Sequence, residues 1–426
     1  MKVLIITYYW PPAGGSGVQR WLKFVKYLQS FDIEPVVYTV DNPNYAIVDN
    51  SLENDVPRNI TVLRQPIWEP NDLLSFFKKK STKTSAGFLN PNPSFLGKIL
   101  QYIRANYFIP DARKHWIKPS VKFLSNYLLE NKVDAIITTG PPHSMHLIGL
   151  QLKQKLELKW ISDFRDPWTE IDYFHQLPLT EKSVKKHLEL EKEVLENSDA
   201  VLVVGKTMKK KFKRFSKNIH VITNGYDIEV NSFKEEKSLD IKFSITHIGL
   251  MNADRNPRIL WEVLLELIDE NKEFKNDIEV KLIGKIAEEV ETSLDRLPKE
   301  IINRVGYVSH EKVKNYQQKS QVLLLAVNKV PSAKGIITGK IFEYLQAKRP
   351  ILAIGPKDGD LAEILSETNS GIIVDFKDKN QLKQEIIKLY SKFKNGNLKV
   401  NSKNIEQYHR KELTKKLSEV IKELLK

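Results

Sequence analysis

The sequence of 426 residues contains no cysteine. This absence excludes disulfide bonds, thiolate nucleophiles and zinc sites with cysteine ligands, and it suits a reducing cytoplasm. No apolar run approaches the roughly 18–20 residues that a membrane-spanning helix requires. The apolar start, MKVLIITYYWPP, is short, continues into aromatic residues and prolines, and lacks a small-residue cleavage site, so it predicts a buried strand rather than a signal peptide.

Negative charge is the scarcer kind, with 53 Asp and Glu against 67 Lys and Arg, which gives a formal net charge of +14. Such a balance indicates a partner that carries phosphate: nucleic acid, anionic lipid or a phosphorylated ligand. The densest cationic run, residues 206–217, places Met208, Phe212 and Phe215 on one side of a predicted helix. This run predicts either a solvated helix with a few buried anchors or a patch that rests on an anionic membrane surface.

The length and an apolar content of 41% favour two globular domains. Short apolar runs alternate with helical patterns, which is typical of parallel α/β structure. The predicted strands are 3–7, 34–39, 135–139, 160–163, 200–204 and 220–223 in the first half, and 244–248, 279–283, 322–326, 351–354 and 371–374 in the second.

A polar stretch at 226–240 follows a turn-like Asn-Gly pair and predicts the linker. The predicted domains are therefore 1–227 and 228–404, followed by a helical pattern at 405–426. The irregular segment 71–94 predicts a loop, with a lid or an acceptor-docking element as the alternative.

Glycines follow the first predicted strand and open a helix. Gly15 and Gly17 would let backbone N–H groups approach an anion at the helix N-terminus. Arg20 takes the position of the third glycine in a dinucleotide fingerprint, which argues against a nicotinamide enzyme. A glycine turn without a ligand is the simpler alternative.

Two more loops in the first half carry chemistry. His143 follows a rigid Gly-Pro-Pro turn and is predicted to face a cleft, whereas His146 is better explained by helix packing. Asp163 and Asp166 bracket Arg165 and could form an acid/base pair, as in a glycosidase. Alternatively Arg165 pairs with one carboxylate and fixes the loop, or a carboxylate holds acceptor hydroxyls.

The second half contains a candidate diphosphate site. Thr338, Gly339 and Lys340 open a helix, so that backbone amides, the helix N-terminus and the lysine converge. Glu343, one turn further, can accept hydrogen bonds from ribose hydroxyls or can be a surface glutamate favoured by the helix dipole.

An earlier loop of the second half contributes Gly249, which allows close approach, and Arg255, which could reach a phosphate. An ordinary strand-to-helix loop is the alternative. The sequence Asp358-Gly-Asp360 looks like a metal-binding pair but is typical of a turn, so we expect no metal ion.

Three segments, in this order and spacing, carry a family resemblance: the Pro11–Gly17 loop, Ile222-Thr-Asn-Gly-Tyr-Asp227, and GKIFEYLQAKRPIL from Gly339 to Leu352. Over nearly the whole chain, the sequence resembles the retaining glycosyltransferases of family 4, also called glycosyl transferases group 1. That resemblance implies a GT-B fold, in which two Rossmann-like, doubly wound α/β domains face each other across a cleft. It also implies that the helix at 405–426 packs back on the first domain.

The resemblance implies that the second domain binds a nucleotide-sugar and the first binds the acceptor, with retention and without a metal or other cofactor. The expected donor-binding residues are Gly15, Gly17, Gly249, Arg255, Thr338, Gly339, Lys340 and Glu343. The expected catalytic residues are His143, Asp163 and Glu343, and Arg165 and Asp166 are expected on the acceptor side.

The expected function is transfer of a sugar to a glycan or lipid-linked acceptor in cell-surface polysaccharide synthesis, by a cytoplasmic protein at or near the inner face of the membrane. Nucleic acid is not an expected partner, because no base-stacking motif is present. The family often carries two glutamates eight positions apart; Glu343 matches the second, and Gly335 replaces the first. An epimerase or hydrolase of the same fold, or a catalytically weak nucleotide-sugar-binding protein, is therefore an alternative.

Overall fold

A computed structural model describes residues 1–69, 94–227, 238–308 and 310–426. Nearly all of the irregular segment predicted at 71–94, and most of the predicted linker, lie outside the described residues. The chain divides into two compact units. Unit 1 consists of Met1–Asn224 together with Arg410–Lys426, and unit 2 consists of Gly225–His409.

Unit 1 is built on a parallel sheet of seven strands in the order β3-β2-β1-β4-β5-β6-β7. Its strands are β1 Lys2–Ile6, β2 Glu34–Val40, β3 Thr61–Gln65, β4 Ala135–Gly140, β5 Lys159–Phe164, β6 Ala200–Val203 and β7 Ile219–Val221. The central strands are almost wholly buried, as expected for a parallel sheet covered on both faces.

The helices that the structure describes in unit 1 before residue 213 are α1 Ser16–Leu28, α2 Phe95–Tyr107, α3 Ile117–Glu130, α4 Ser144–Leu156, α5 Glu181–Asn197 and α6 Lys206–Phe212, and of these α2 buries no residue. Helix α1 buries Val18, Trp21, Leu22 and Val25, the apolar face that the sequence predicts. Met208 and Phe212 of α6 are also buried in the core of unit 1, so they are anchors inside the protein and not a membrane-facing surface.

Unit 2 is built on a parallel sheet of six strands in the order β10-β9-β8-β11-β12-β13. Its strands are β8 Phe243–Ile248, β9 Ile278–Ile283, β10 Ile302–Val305, β11 Val322–Ala326, β12 Ile351–Ile354 and β13 Gly371–Val374. Its helices are α7 Arg258–Glu270, α8 Lys272–Asp277, α9 Glu288–Leu294, α10 His310–Lys319, α11 Lys340–Ala347, α12 Asp360–Thr368 and α13 Lys379–Lys394.

The last helix, α14 (Arg410–Leu424), belongs to unit 1 and packs against α1. The residues just before it, Ile405–Tyr408, form a short 3₁₀ turn that belongs to unit 2. The helix therefore begins five residues later than the periodicity predicts. In the part of the chain that the structure describes, no helix has both the length and the apolarity to cross a bilayer.

The two doubly wound α/β sheets confirm the predicted fold class. In each sheet the strand order reverses once, between β1 and β4 in unit 1 and between β8 and β11 in unit 2. Loops that leave such strands diverge beyond the carboxyl ends of the sheet and create the usual place for a ligand. Most of the candidate residues lie in loops beyond these strand ends.

Candidate functional site

A buried ion pair lies beneath the first glycine loop of unit 1. Arg20 on α1 donates to both carboxylate oxygens of Asp163 on β5, with a shortest contact of 2.8 Å. Trp21 Nε1 and Thr139 Oγ1 donate to the same carboxylate at 2.7 and 2.9 Å. Burial raises the pKa of Asp163, but Arg20 and these hydrogen bonds outweigh burial and hold the pKa below its ordinary value.

The placement of Asp163 corrects the prediction that it is a catalytic residue. Its side chain has no exposed surface, and its carboxylate is bonded to three neighbours in the core. Arg20 is equally buried and fills the position that a dinucleotide fingerprint reserves for glycine. The pair therefore stabilises the junction of α1 with the sheet.

Arg165 joins two loops of unit 1. It donates to the backbone carbonyls of Gly17, Gly140 and Pro141, and its guanidinium lies over the ring of Tyr9, 5.8 Å from the centroid. A Cβ atom on Gly17 would lie 3.1 Å from the Arg165 guanidinium. The hydrogen-bond partners of Arg165 are thus carbonyls, while the charges of Asp166 and Asp163 favour its charged form. The predicted donor-binding role of Gly17 stays a prediction.

His143 takes part in an aromatic stack. It is 7% exposed and lies parallel to Trp168, with ring centroids 4.6 Å apart. Burial, reinforced by His146 and Arg165, lowers the pKa of His143 well below its ordinary value, so the imidazole is neutral. Trp168 therefore covers one face of the ring, and the predicted catalytic role of His143 stays a prediction.

Three further residues in this part of unit 1 were considered from the sequence: His146, Asp166 and Gly15. His146 is fully buried and hydrogen-bonded to Thr138 at 2.9 Å, as the packing interpretation predicts, and burial lowers its pKa to about 3. Asp166, in contrast, is exposed. Gly15 has a φ of +85°, which glycine adopts without strain. The predicted ligand roles of Asp166 and Gly15 stay predictions.

In unit 2, two glycines meet where β8 and β9 end. Gly249 and Gly284 have φ angles of +96° and +115°, in the left-handed region that favours glycine. A Cβ atom on Gly284 would lie 2.9 Å from the carbonyl oxygen of Gly249, and one on Gly249 would lie 3.0 Å from Lys340 Cε. These two turns, the glycine junction, therefore let the Lys340 side chain reach the ends of β8 and β9.

The amine of Lys340 has neutral hydrogen-bond partners. Its Nζ lies 3.1 Å from Nε2 of His247 and 3.4 Å from the carbonyl oxygen of Leu250. Burial and the nearby Arg255 lower the pKa of Lys340 to about 7, against the opposing effect of Glu343. Burial and the two cations also lower the pKa of His247 well below its ordinary value, so this imidazole is neutral.

Arg255 bridges the two strands between which the strand order reverses. Its Nε donates to Oδ1 of Asn328, just after β11, at 3.0 Å, and its Nη1 donates to the carbonyl of Leu250, just after β8, at 3.1 Å. The guanidinium is thereby fixed beside Lys340. Two basic side chains beyond the carboxyl ends of a parallel sheet form a place where an anion gains Coulomb energy and hydrogen bonds together.

The start of α11 supplies the remaining predicted donor-site residues. Thr338 Oγ1 accepts from the Lys340 amide at 3.2 Å, so this amide is satisfied inside the protein and is not the open phosphate donor that the sequence predicts. Gly339 has open space where a Cβ would be. Glu343 accepts from Gln317 at 3.0 Å through Oε2, which leaves Oε1 without a hydrogen-bond partner among the described residues.

Comparison with known proteins identifies this unit. Residues 242–392 match the family model described as Glycosyl transferases group 1. Unit 2 carries a glycosyl transferases group 1 domain. No curated protein matches the chain.

Solved structures with the GT-B fold align with the whole chain, and so with more than the group 1 domain. Sucrose-phosphate synthase from Thermosynechococcus elongatus is 13% identical with a TM-score of 0.57, and the alignment covers 100% of this chain and 94% of that one. HepE (Alr3699) of Anabaena, crystallised with UDP, is 12% identical with a TM-score of 0.60 over 99% and 100% of the chains. The lipopolysaccharide outer core galactosyltransferase WaaB is 13% identical with a TM-score of 0.57 over 99% of both chains. At these identities the likeness establishes the fold.

Several residues of the group 1 domain were not singled out from the sequence for these contacts. His247, Gly284, Gln317 and Asn328 each touch a predicted residue or the glycine junction. The sequence could have indicated Gly284, because it directly follows a predicted strand, as Gly249 does. Asp358 forms an ion pair with Lys334, and no group of three or more histidine or carboxylate side chains in the described ranges could hold a metal ion.

Proposed function

We propose that this chain is a retaining glycosyltransferase that moves a sugar from a nucleotide-sugar to a glycan or lipid-linked acceptor. The observation that carries the proposal is the pair of basic side chains, Lys340 and Arg255, beyond the strand ends of the group 1 domain. A nucleotide-sugar presents a diphosphate, which is the anion that such a pair fits.

Charge on the leaving group is the energetic problem of this reaction. As the bond to the sugar breaks, negative charge grows on the diphosphate, and fixed cations stabilise it without reorganisation at that moment. Arg255 is already held by Asn328 and Leu250 before the ligand arrives. Loss of one preorganised donor of this kind costs about 3–4 kcal/mol of transition-state stabilisation.

The ribose is assigned to Glu343. Its Oε2 is fixed by Gln317, so Oε1 can accept from ribose hydroxyls while the carboxylate keeps its orientation. In the proposed reaction the sugar reacts on the face from which the diphosphate leaves. The leaving phosphate takes the acceptor proton, and no protein nucleophile is required. Asp163 is enclosed in the core of unit 1 and takes no part.

A thermal-shift screen of UDP-, GDP- and ADP-sugars tests donor binding. HepE was crystallised with UDP, so UDP-sugars come first. We expect the nucleotide-sugars that carry one of the three bases to raise the melting temperature of the wild type. The same compounds should raise the melting temperature of Glu343→Ala by less. Glu363→Ala, a glutamate in the first turn of α12, is the matched control. Absence of stabilisation by every nucleotide-sugar would remove the proposal.

The stereochemistry is tested by NMR of the product, which should keep the donor's anomeric configuration. Incubation of the donor without an acceptor separates the alternatives, because an epimerase or a hydrolase would consume it at full rate. Gly335, where the family often has a glutamate, favours a second candidate, a catalytically weak nucleotide-sugar-binding protein. Tight donor binding without turnover on any glycan or lipid-linked acceptor would support that candidate.

An anionic membrane surface is proposed as a further partner, in keeping with a cytoplasmic protein at the inner face and a role in cell-surface polysaccharide synthesis. Two surfaces of unit 1 support it: α2 exposes Phe95, Leu96 and Tyr107, and α6 exposes Lys210 and Lys211. Flotation with vesicles tests the proposal. Equal recovery with anionic and with neutral lipid would contradict it.

A further inference from the structure

The contact between Lys340 and His247 is unusual for a lysine that binds an anion, because the partner of the amine is an imidazole. A lysine inside a protein is commonly paired with a carboxylate, which keeps it charged. Here the amine is held by an imidazole nitrogen at 3.1 Å and by a backbone carbonyl at 3.4 Å. Both partners are neutral acceptors, so they fix the position of the amine without neutralising its charge.

The groups around this amine come from three elements. His247 lies on β8, Arg255 lies in the loop that follows it, and Glu343 lies one turn along α11. The carboxylate of Glu343 accepts from Gln317 on α10, and Arg255 is bonded to Asn328 after β11. The two largest effects on the pKa of Lys340, burial and the charge of the Arg255 guanidinium, both lower it.

We propose that His247 is a positioning residue that holds the Lys340 amine at the glycine junction, where the amine takes up a proton when it receives the diphosphate of a nucleotide-sugar. The identity of the anion rests on the proposed function, whereas the state of the amine in the empty site does not. The proton comes from solvent, becomes the third N–H of the ammonium group and returns to solvent when the nucleotide leaves.

The direction of the pH effect follows from linkage. The pKa of Lys340 is about 7 in the empty site, and a bound dianion raises it. Below that pH the lysine is already charged and affinity is independent of pH. Above it, binding takes up a proton, so affinity falls by up to about tenfold for each pH unit until the pKa of the complex is reached.

The empty site is tested by NMR of protein labelled with ¹³C at lysine Cε. The Lys340 signal is the one that Lys340→Arg lacks, and its titration midpoint should lie near pH 7. Lys379, which is partly exposed and paired with Glu266, provides the matched control, and its titration midpoint should lie above the ordinary value of a lysine. A Lys340 midpoint above pH 9 in the absence of nucleotide would overturn the inference, whatever the protein binds.

Calorimetry tests the coupling with the nucleotide-sugar found in the screen. The diphosphate of such a donor does not titrate between pH 6 and 9, so any proton taken up belongs to the protein. Titrations in buffers of different ionisation enthalpy should give close to one proton at pH 8 and little at pH 6. Lys340→Arg should bind without uptake at either pH. Binding without uptake in the wild type would overturn the inference while leaving the proposed function intact.

Two substitutions of His247 separate positioning from packing. Asn keeps an acceptor and should retain both the proton uptake and affinity within a few-fold of the wild type. Leu has a similar volume but no acceptor, and it should weaken donor binding about tenfold or more at pH 8. Equal affinity and equal uptake in both variants would assign His247 to packing alone.

Discussion

The two units differ in the partners that surround their charged side chains. In unit 1, Arg20 and Asp163 neutralise each other in the core, and Arg165 is occupied by three backbone carbonyls. In unit 2, Lys340 is held by an imidazole and a carbonyl, with the guanidinium of Arg255 close enough to lower its pKa. The ion pair of Arg20 and Asp163 is neutralised within the core and stabilises the fold, whereas Lys340 has no carboxylate among the hydrogen-bond partners that the structure describes, which is what binding of an anion requires.

Both sets include residues at or near the carboxyl ends of parallel strands: Asp163 lies near the end of β5, and Arg255 and Lys340 follow β8 and β11. Place alone therefore does not define a site. In unit 1, Asp166 is exposed and Gly15 has a positive φ, and their predicted ligand roles stay predictions. The cations and Glu343 are what unit 2 offers, which is consistent with a donor bound mainly by the group 1 domain.

The strongest test of this contrast removes the buried carboxylate of unit 1. Asp163→Asn leaves Arg20 buried without its counter-charge and should lower the free energy of unfolding by about 3–5 kcal/mol, measured by urea denaturation. The lowered pKa of Asp163 fixes the sign of the pH effect. The stabilisation is present above the ordinary pKa of an aspartate and is lost as pH falls through the lower pKa of the folded state. The difference in free energy of unfolding between the wild type and Asp163→Asn should therefore shrink in acid.

Asp166→Asn is the matched control, because Asp166 is exposed and only three residues away. Its free energy of unfolding should stay within about 0.5 kcal/mol of the wild type. If Asp163→Asn proves as stable as this control, the carboxylate is not part of the structural core, and a catalytic role returns.

The second test removes a cation of unit 2. Arg255→Ala should reduce kcat about 10²- to 10³-fold in a donor-consumption assay, because a preorganised group beside the diphosphate is lost. The melting temperature should change little, since the side chain is partly exposed. Arg258→Ala, exposed at the start of α7, should keep nearly full activity, and equal losses in the two variants would contradict the assignment.

The sequence predicts the buried part of this fold well. Strands β1, β4, β8 and β11 are continuous apolar runs, which is what a covered parallel strand requires, and each was predicted within a residue or two. The two missed strands, β3 and β10, are edge strands with polar, half-exposed residues. Their pairing is set by the neighbouring strand rather than by their own pattern.

The partners within each site were harder to predict for a different reason. Arg20 and Asp163 are 143 residues apart, and His247 and Lys340 are 93 apart, so only the folded sheet brings them together. The local sequence predicted a phosphate-binding role for Lys340, because a glycine precedes it and a helix begins there. Local sequence could not show that Asp163, near the end of β5, points into the core.

A smaller effect on activity is expected at Gly339, because neither its backbone angles nor its neighbours require a glycine there. Its φ of −56° suits any residue, and a Cβ atom would meet no other atom within 4 Å. Gly339→Ala should therefore unfold at an unchanged urea concentration but raise the donor KM several-fold by crowding the ligand. Gly284→Ala is the contrast: its φ of +115° and the contact with Gly249 predict lost stability.

The smallest effect is expected at His143. If its imidazole took part in the reaction, unit 1 as well as unit 2 would contain a reactive group. His143→Phe keeps an aromatic ring against Trp168, so kcat should stay within about threefold of the wild type and stability within about 1.5 kcal/mol. Because burial holds the pKa of His143 well below its ordinary value, this residue should contribute no inflection to the rate profile between pH 6 and 8. General acid or base catalysis contributes roughly 10²- to 10⁴-fold, so a loss of that size in a folded His143→Phe protein would make the imidazole catalytic and unit 1 chemically active.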